Sequence, residues 1–442
     1  MSKAAAAGRA MILPLALAQF IASYAATNMN VAISAIAADL GTDVAGVQTA
    51  ITLFTLTMAA LMIPGSKLTD IWGRKRCFVL GLIVYGLGAA AGPLIGGLVT
   101  SAISWRASFG LQVLVVAWII LLARKITEPA VSGRRPRFDF TGAVLSAAGL
   151  FFLVLGLLQS RTYGFFVSRT DFTIGSTVVI PKGSISPVWL YVAIGAIFLA
   201  WFFLHVRSGE RRKRDVLLPL RLFRNKTSNL GLGTQTIQWL IMQGSFFTTS
   251  VYLQEVNHYD AVKTGLVLTP ATIGILAASA GAGRFARRHP QRWLIIAGFL
   301  VTVVGMALLL ALVRAHSGIA TWIPGLLLFG IGVGVMLTSS VNVVQSSFPE
   351  RDQGDISGLS RSVSNLGSSL GTALVGSVLV AAKLPAGKPF AAALTVMLVF
   401  ALIGLVIAVL IPRGPGGAPE EAAEEAALEQ APGNETTATD VA

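Results

Sequence analysis

Thirteen residues, Pro64 to Arg76, set one carboxylate, Asp70, among four cations, Lys67, Arg74, Lys75 and Arg76, with glycines at 65 and 73 that permit a tight turn. A carboxylate so placed can accept hydrogen bonds from neighbouring backbone or from Arg74, and a helix terminus and a cation stabilise it together. Such a group can latch one conformation and release it in another; the plainer reading is a charged turn between two apolar segments. Carrying a proton would need an ionisable group inside an apolar run, where charge is costly and functional when present. No Asp or Glu stands near the centre of any such run. The remaining candidates, Asp39, Asp70, Glu255 and His205, sit near run ends, which are wet. Uncharged polar residues are better placed to line a polar path. Gln19, Asn28, Asn30, Gln235, Gln238, Gln243, Asn342 and Asn365 fall within apolar runs, where the competing role is hydrogen bonding between helices.

Other chemistries fail on inventory. Cys77 is the only cysteine, so an intrachain disulfide and a cysteine metal site are both excluded, and its apolar surroundings make it an inert thiol. The four histidines lack metal-ligand spacing. No GxxxxGK[ST] stretch offers a phosphate cradle, so uphill work would draw on an ion gradient or a partner, and no cofactor or metal is implied. Gly330-Ile331-Gly332-Val333-Gly334 looks like a dinucleotide loop but lies within an apolar run, where its role is helix packing.

The elements that must carry these residues are membrane helices. Of 442 residues 54% are hydrophobic and 12% charged, with mean hydropathy +0.73. Soluble domains carry about 25% charged residues. The formal charge of +14 is gathered into short clusters between apolar runs, so it reports topology and not nucleic-acid binding. A helix needs about 20 apolar residues to cross a lipid bilayer. Twelve runs qualify: 11–36, 47–64, 77–100, 105–123, 140–159, 188–206, 229–252, 264–283, 293–313, 319–344, 358–382 and 390–411. The first is too long for a signal-peptide core and reads as a retained span. Cations concentrate in alternate loops, at 67–76, 124–137, 207–226 and 284–292, which puts these loops and both termini on the cytoplasmic side of a multi-pass inner-membrane protein.

Residues 160–187 read as an external loop with a β-hairpin tendency around Thr173–Ile180, either passive or a lid. In the basic linker Arg207–Lys226, the apolar Val216, Leu217, Leu218, Leu220 and Leu222 are expected along the membrane surface. The tail after Pro412 is Gly/Pro-rich, then acidic at Glu420, Glu421, Glu424 and Glu425, and reads as disordered or as a short solvated helix.

On these residues the chain resembles the major facilitator superfamily, in particular its drug:proton antiporter branch, which usually has fourteen spans. Ser66–Arg76 matches the family's loop motif GxLaDrxGrrr at the acid, the second glycine and the basic run, with the first glycine shifted to Gly65 and Ile71 at a basic position. Gly92, Pro93, Gly96 and Gly97, followed by Trp105-Arg106, resemble the antiporter motif of the fifth span and the Trp-Arg after it; close helix packing is their simpler role. Thr27–Ile33 resembles the first-span motif, with Ala25 where the family usually carries an acid, and Pro219–Phe223 resembles the linker before the second half. The resemblance implies an all-α helical bundle that moves small molecules outward by alternating access, with the proton as coupling ion.

Two halves of such a bundle are related by a parallel repeat. Gly283–Arg288 echoes the hinge, and Asn365–Thr372 stands where Gly92–Gly97 should stand. The spacing between the two landmarks is shorter in the first half by roughly 60 residues, or two spans. The join falls near Tyr85–Ala90. The expected organisation is a shortened first half (1–123), a central helix pair with basic linkers (124–226), a six-helix second half (227–412) and the tail (413–442). Two readings stay open, an exporter of small amphipathic compounds and a transport-deficient or regulatory membrane protein.

Overall fold

Helices start where the local chemistry favours a start. Asp43, Asp139 and Asn225 each accept a hydrogen bond from a first-turn N–H, of Gly46, Gly142 and Ser228, at 2.8, 2.9 and 3.0 Å. The structure is a computed structural model that describes residues 33–73, 76–80, 113, 114, 116–121, 123, 138–174, 177–259, 261–285, 289–313, 318–349, 352–381 and 388–412. Its helices are α1 (Ile33–Asp39), α2 (Val44–Trp72), α3 (Phe140–Tyr163), α4 (Val188–Arg211), α5 (Lys226–Glu255), α6 (Ala261–Phe285), α7 (Gln291–Leu312), α8 (Ile323–Gln345), α9 (Gln353–Ala381) and α10 (Lys388–Leu410). A two-stranded hairpin, β1 (Phe172–Ile174) and β2 (Thr177–Ile180), lies between α3 and α4, and short 3-10 turns span Leu220–Phe223 and Ile319–Thr321.

Nine of the twelve expected runs are helices; 11–36, 77–100 and 105–123 fall largely outside the described residues. Among the described helices, α2, α3, α4, α7, α8 and α10 carry the six segments long and apolar enough to cross a membrane. α5 and α9 are as long, at 30 and 29 residues, but carry amides and hydroxyls. Large apolar side chains face outward on the rest, among them Ile197 and Leu204 of α4, Leu300 and Val304 of α7, and Val406 of α10. In hydrocarbon such a surface is the solvated one.

Two expectations are corrected. Residues 64–72 are not a loop: α2 continues through Pro64 to Trp72, and the chain turns only at Gly73, whose φ of 97° suits glycine. The linker leucines do not lie on the membrane surface. Leu217 and Leu222 are fully buried, with Val216 and Leu218 nearly so, in a core shared with Ile63, Phe202, Val206, Val344 and Ile356. An apolar linker at the mouth of a bundle buries more area by entering it than by lying beside it.

The larger core joins α5–α10 with α1 and the start of α2. Glycines set its helix spacing. Gly298 and Gly305 of α7 meet the backbone of Gly332 and of Gly325–Phe329 on α8, while Gly330 and Gly334 turn the other face of α8 to Ala271 and Ile275 of α6. A Cβ on Gly330 would overlap the carbonyl oxygen of Ala271. The Gly330–Gly334 stretch is therefore a packing seam, as expected. α3 and α4 join the same way; a Cβ on Gly195 would stand 2.8 Å from the Leu153 nitrogen. The hairpin expected at 173–180 is present, antiparallel with Ile174 opposite Thr177, and Phe172 is held against Tyr163 at 5.4 Å between ring centroids.

Candidate functional site

α9 sits between α2 and α5 and presents hydroxyls to both. Towards α2, which runs antiparallel to it, Gln48 Nε2 donates to the Thr372 carbonyl at 2.6 Å, Thr55 Oγ1 meets Ser369 Oγ at 2.7 Å, and Ser362 Oγ donates to the Ala59 carbonyl at 2.7 Å. Towards α5, Gln235 Nε2 donates to Ser364 Oγ at 2.8 Å and Ser360 Oγ returns a bond to Gln235 Oε1 at 2.9 Å. Gly367 and Gly371 of α9 let its backbone approach Thr236 and Leu240. Towards α3, Ser377 shares a hydrogen bond with Ser160. These side chains are buried, so the amides need their partners, and hydrogen bonds of this kind between membrane helices are worth about 0.6 kcal/mol each.

The seam ends in charges. Lys67 Nζ of α2 stands 3.3 Å from Asp355 of α9, with both side chains about nine-tenths buried. One turn earlier Asp352 takes Arg221 from the linker. Asp139 gathers three partners: it caps α3, accepts from the Leu217 N–H at 3.2 Å and meets His205 Nε2 of α4 at 3.0 Å. Glu210 accepts from the Leu220 N–H at 2.7 Å. The linker is thus a wedge whose leucines fill the mouth between α2, α3, α4, α5, α8 and α9, while carboxylates at three places hold its backbone and Arg221. Beside it is a charged cleft of about 490 Å³, lined by Lys67, Glu210, Lys213, Arg214, Asp352 and Asp355. Removing one partner of the buried Lys67–Asp355 pair leaves the other uncompensated, so the α2–α9 contact at this end depends on both members.

The expected site residues are distributed unevenly over this frame. Gln235 is in the seam; Gln238 is buried instead between α5 and α8, where its amide, turned with the nitrogen towards α8, donates to Ser340 Oγ at 3.2 Å. Gln243 is buried on α5, and its Nε2 has no hydrogen-bond partner among the described residues. Asn342 is half-buried on α8, and Asn365 turns back to the Arg361 carbonyl on its own helix. Asp39 and Glu255 are exposed at the ends of α1 and α5. Gly65 is helical with open space beside it, Asp70 lies in the last turns of α2, Gly73 makes the turn, and Arg76 is exposed. Asn28, Asn30, Arg74, Lys75, Gly92, Pro93, Gly96, Gly97, Trp105, Arg106 and the acidic tail lie outside the described residues. The partners that matter most, Gln48, Thr55, Asp139, Asp352, Asp355 and Arg221, were not singled out as site residues by spacing. The signal available for two of them was the rarity of acids within the basic loops.

The Major Facilitator Superfamily model matches residues 15–91, 83–372 and 282–438, which is nearly the whole chain. The chain belongs to the Major Facilitator Superfamily. It is therefore a multi-pass membrane transporter of small molecules rather than an enzyme. Among its superfamily relatives, it is 23% identical over 412 residues to the probable actinorhodin transporter of Streptomyces coelicolor, covering 78% of this chain and 68% of that protein. It is 24% identical to the puromycin resistance protein pur8 of Streptomyces alboniger, covering 80% and 78%. It is 28% identical to the tetracenomycin C resistance and export protein of Streptomyces glaucescens, covering 65% of this chain and half of that one. The superfamily fold recurs in the nucleoside transporter NupG, with TM-score 0.51 at 12% identity over 90% of this chain and 99% of that one. An auto-inhibited POT family peptide transporter gives TM-score 0.53 at 13% identity over 89% and 95%. The first two superfamily-model matches meet at 83–91.

Proposed function

We propose that this transporter exports small amphipathic compounds across the inner membrane by alternating access, with the charged mouth of the bundle facing the cytoplasm and protons moving in the opposite direction. The observation that carries the reading is the construction of the α2–α9 seam. Along its length α2 and α9 are joined by amides and hydroxyls, and at its basic end by the Lys67–Asp355 ion pair, with Arg221–Asp352 and the leucine wedge beside it. A site whose path holds amides and hydroxyls suits compounds of mixed polarity. The concentration of cations at the locked end supports a cytoplasmic orientation for it. Three relatives named for antibiotic transport or resistance support outward movement of such compounds.

The test is uptake of a fluorescent cationic dye into inverted vesicles, with the pH gradient intact and then collapsed. Gradient-dependent uptake that Asp70→Asn abolishes is the expected result. Uptake indifferent to the gradient would remove proton antiport and keep export. One observation favours a second reading, that of a transport-deficient membrane protein. The alignment to the actinorhodin relative spans 412 positions while using 78% of a 442-residue chain, so that relative has residues with no counterpart here. The first two stretches matched by the family model overlap at 83–91, which supports placing the gap there. Flat traces from well-folded protein across many dyes would favour this reading.

A further inference from the structure

At the start of α7 a buried arginine meets no anion among the described residues. Arg292 is 9% exposed; one of its nitrogens donates to the Val409 carbonyl at the end of α10 at 2.6 Å, while Nε and Nη1 are buried without a hydrogen-bond partner among the described residues. Unpaired guanidinium donors in a low-dielectric site carry a desolvation cost that an anion would relieve. The position itself favours an anion, because the first turn of a 22-residue helix concentrates positive potential. Next to it the Gln291 Oε1 is a buried acceptor without a donor among the described residues. The missing group therefore carries both acceptor oxygens with negative charge and at least one donor.

Two further features place that group in the membrane interface. Trp293, 5.6 Å from the Arg292 guanidinium carbon, is 55% exposed, and an outward tryptophan at a helix end marks the headgroup level. Beyond it the outer faces of α7 and α10 carry Leu300, Val304, Leu402 and Val406, an apolar wall suited to acyl chains. We propose that Arg292 and Gln291 form a phospholipid site: the phosphate binds Arg292 Nε and Nη1, and a hydroxyl or ammonium of the headgroup donates to Gln291 Oε1. The unpaired Arg292 guanidinium nitrogens at the positive end of α7 favour anionic headgroups over zwitterionic ones. The site couples α7 to α10, the two helices that meet at Val409, and is separate from the α2–α9 seam.

The probe is dioleoylphosphatidylglycerol added to the delipidated full-length protein in neutral detergent, with retention read by native mass spectrometry. Dioleoylglycerol, with the same chains and no phosphate, and inorganic phosphate alone are the comparison ligands. The expected result is retention of the phospholipid but of neither comparison ligand, weakened about tenfold in Arg292→Gln, as loss of a charge-assisted hydrogen bond implies. Arg292→Lys, which keeps the charge and loses the planar fork, should fall between the two. Equal retention by wild type and Arg292→Gln overturns the proposal, as does displacement of the lipid by inorganic phosphate. The acidic tail is the competing occupant: truncation after Pro412 should leave lipid retention unchanged, and a rise on truncation would give the site to the tail. If Arg292→Gln does not fold, Gln291→Leu removes the acceptor alone and must discriminate phosphatidylglycerol from its methyl-capped headgroup less than wild type does.

Discussion

The faces of α8 and the faces of α9 are joined to their neighbours by different means. α8 meets α6 and α7 through glycines, backbone against backbone, with no room for a single added methyl group at Gly330 or Gly332. α9 meets α2 through side chains, amide and hydroxyl to hydroxyl and carbonyl and lysine to aspartate, while its α5 face adds to the Gln235 bonds a glycine contact of the α8 kind, Gly367 and Gly371 against the Thr236 and Leu240 carbonyls. The first kind of contact stays closed because separation would forfeit dispersion over the whole interface. The α2–α9 contact can be broken one bond at a time. The difference assigns the opening proposed above to the α2 face of α9 and not to either face of α8.

The comparison can be broken most severely at α8. Gly330→Leu is expected to abolish the monodisperse peak in size-exclusion chromatography, since leucine must displace the Ala271 backbone; a normal yield would show that α6 and α8 are not locked. Next comes the wedge. Leu222→Ala leaves a cavity in a fully buried position and should cost about 2–5 kcal/mol, read as a lower unfolding temperature. Asp355→Asn should leave the fold intact and loosen the mouth by about 2 kcal/mol, a buried-pair value discounted for partial exposure. The single cysteine offers a reporter, for the Cys77 Sγ lies 3.4 Å from the Leu68 carbonyl at the end of α2. Maleimide labelling of Cys77 should quicken about tenfold in Asp355→Asn and return towards wild type in Lys67→Met/Asp355→Leu. Unchanged labelling would mean that the pair does not hold the mouth. Smallest is Thr55→Val, which deletes one hydroxyl contact to Ser369 and should cost about 0.6 kcal/mol.

Much of the frame was legible in the sequence. Apolar run length alone placed α3, α4, α7 and α10 to within a few residues, because a bilayer imposes one length on every span. The hinge was misread as a loop because Pro64, Gly65 and Ser66 are turn formers in water, while in a membrane bundle the helix continues through them. The wedge was misplaced for a different reason: Leu217 and Leu222 look the same in a sequence whether they meet lipid or protein. Lys67 was legible as a topology marker, but its partner Asp355 stands 288 residues away, and nothing local encodes a contact of that range. Gln235 was legible as polar and intramembrane, whereas its division between Ser360 and Ser364 depends on how α5 and α9 are turned relative to each other.

Some serines of α9 have a second attachment. Ser364, Ser369 and Ser377 each also donate to the carbonyl four residues back on α9 itself, at 2.8, 3.0 and 2.8 Å, whereas Ser360 and Ser362 give their protons across the interface to Gln235 and to Ala59. When a neighbouring helix withdraws, the first three keep a partner on their own backbone, and Ser360 and Ser362 must find one. Gln48 and Gln235 have no such reserve and must be met by water or by cargo. In the opening proposed above, the seam would keep Ser364, Ser369 and Ser377 satisfied from within α9 and leave the amides of Gln48 and Gln235 to be hydrated.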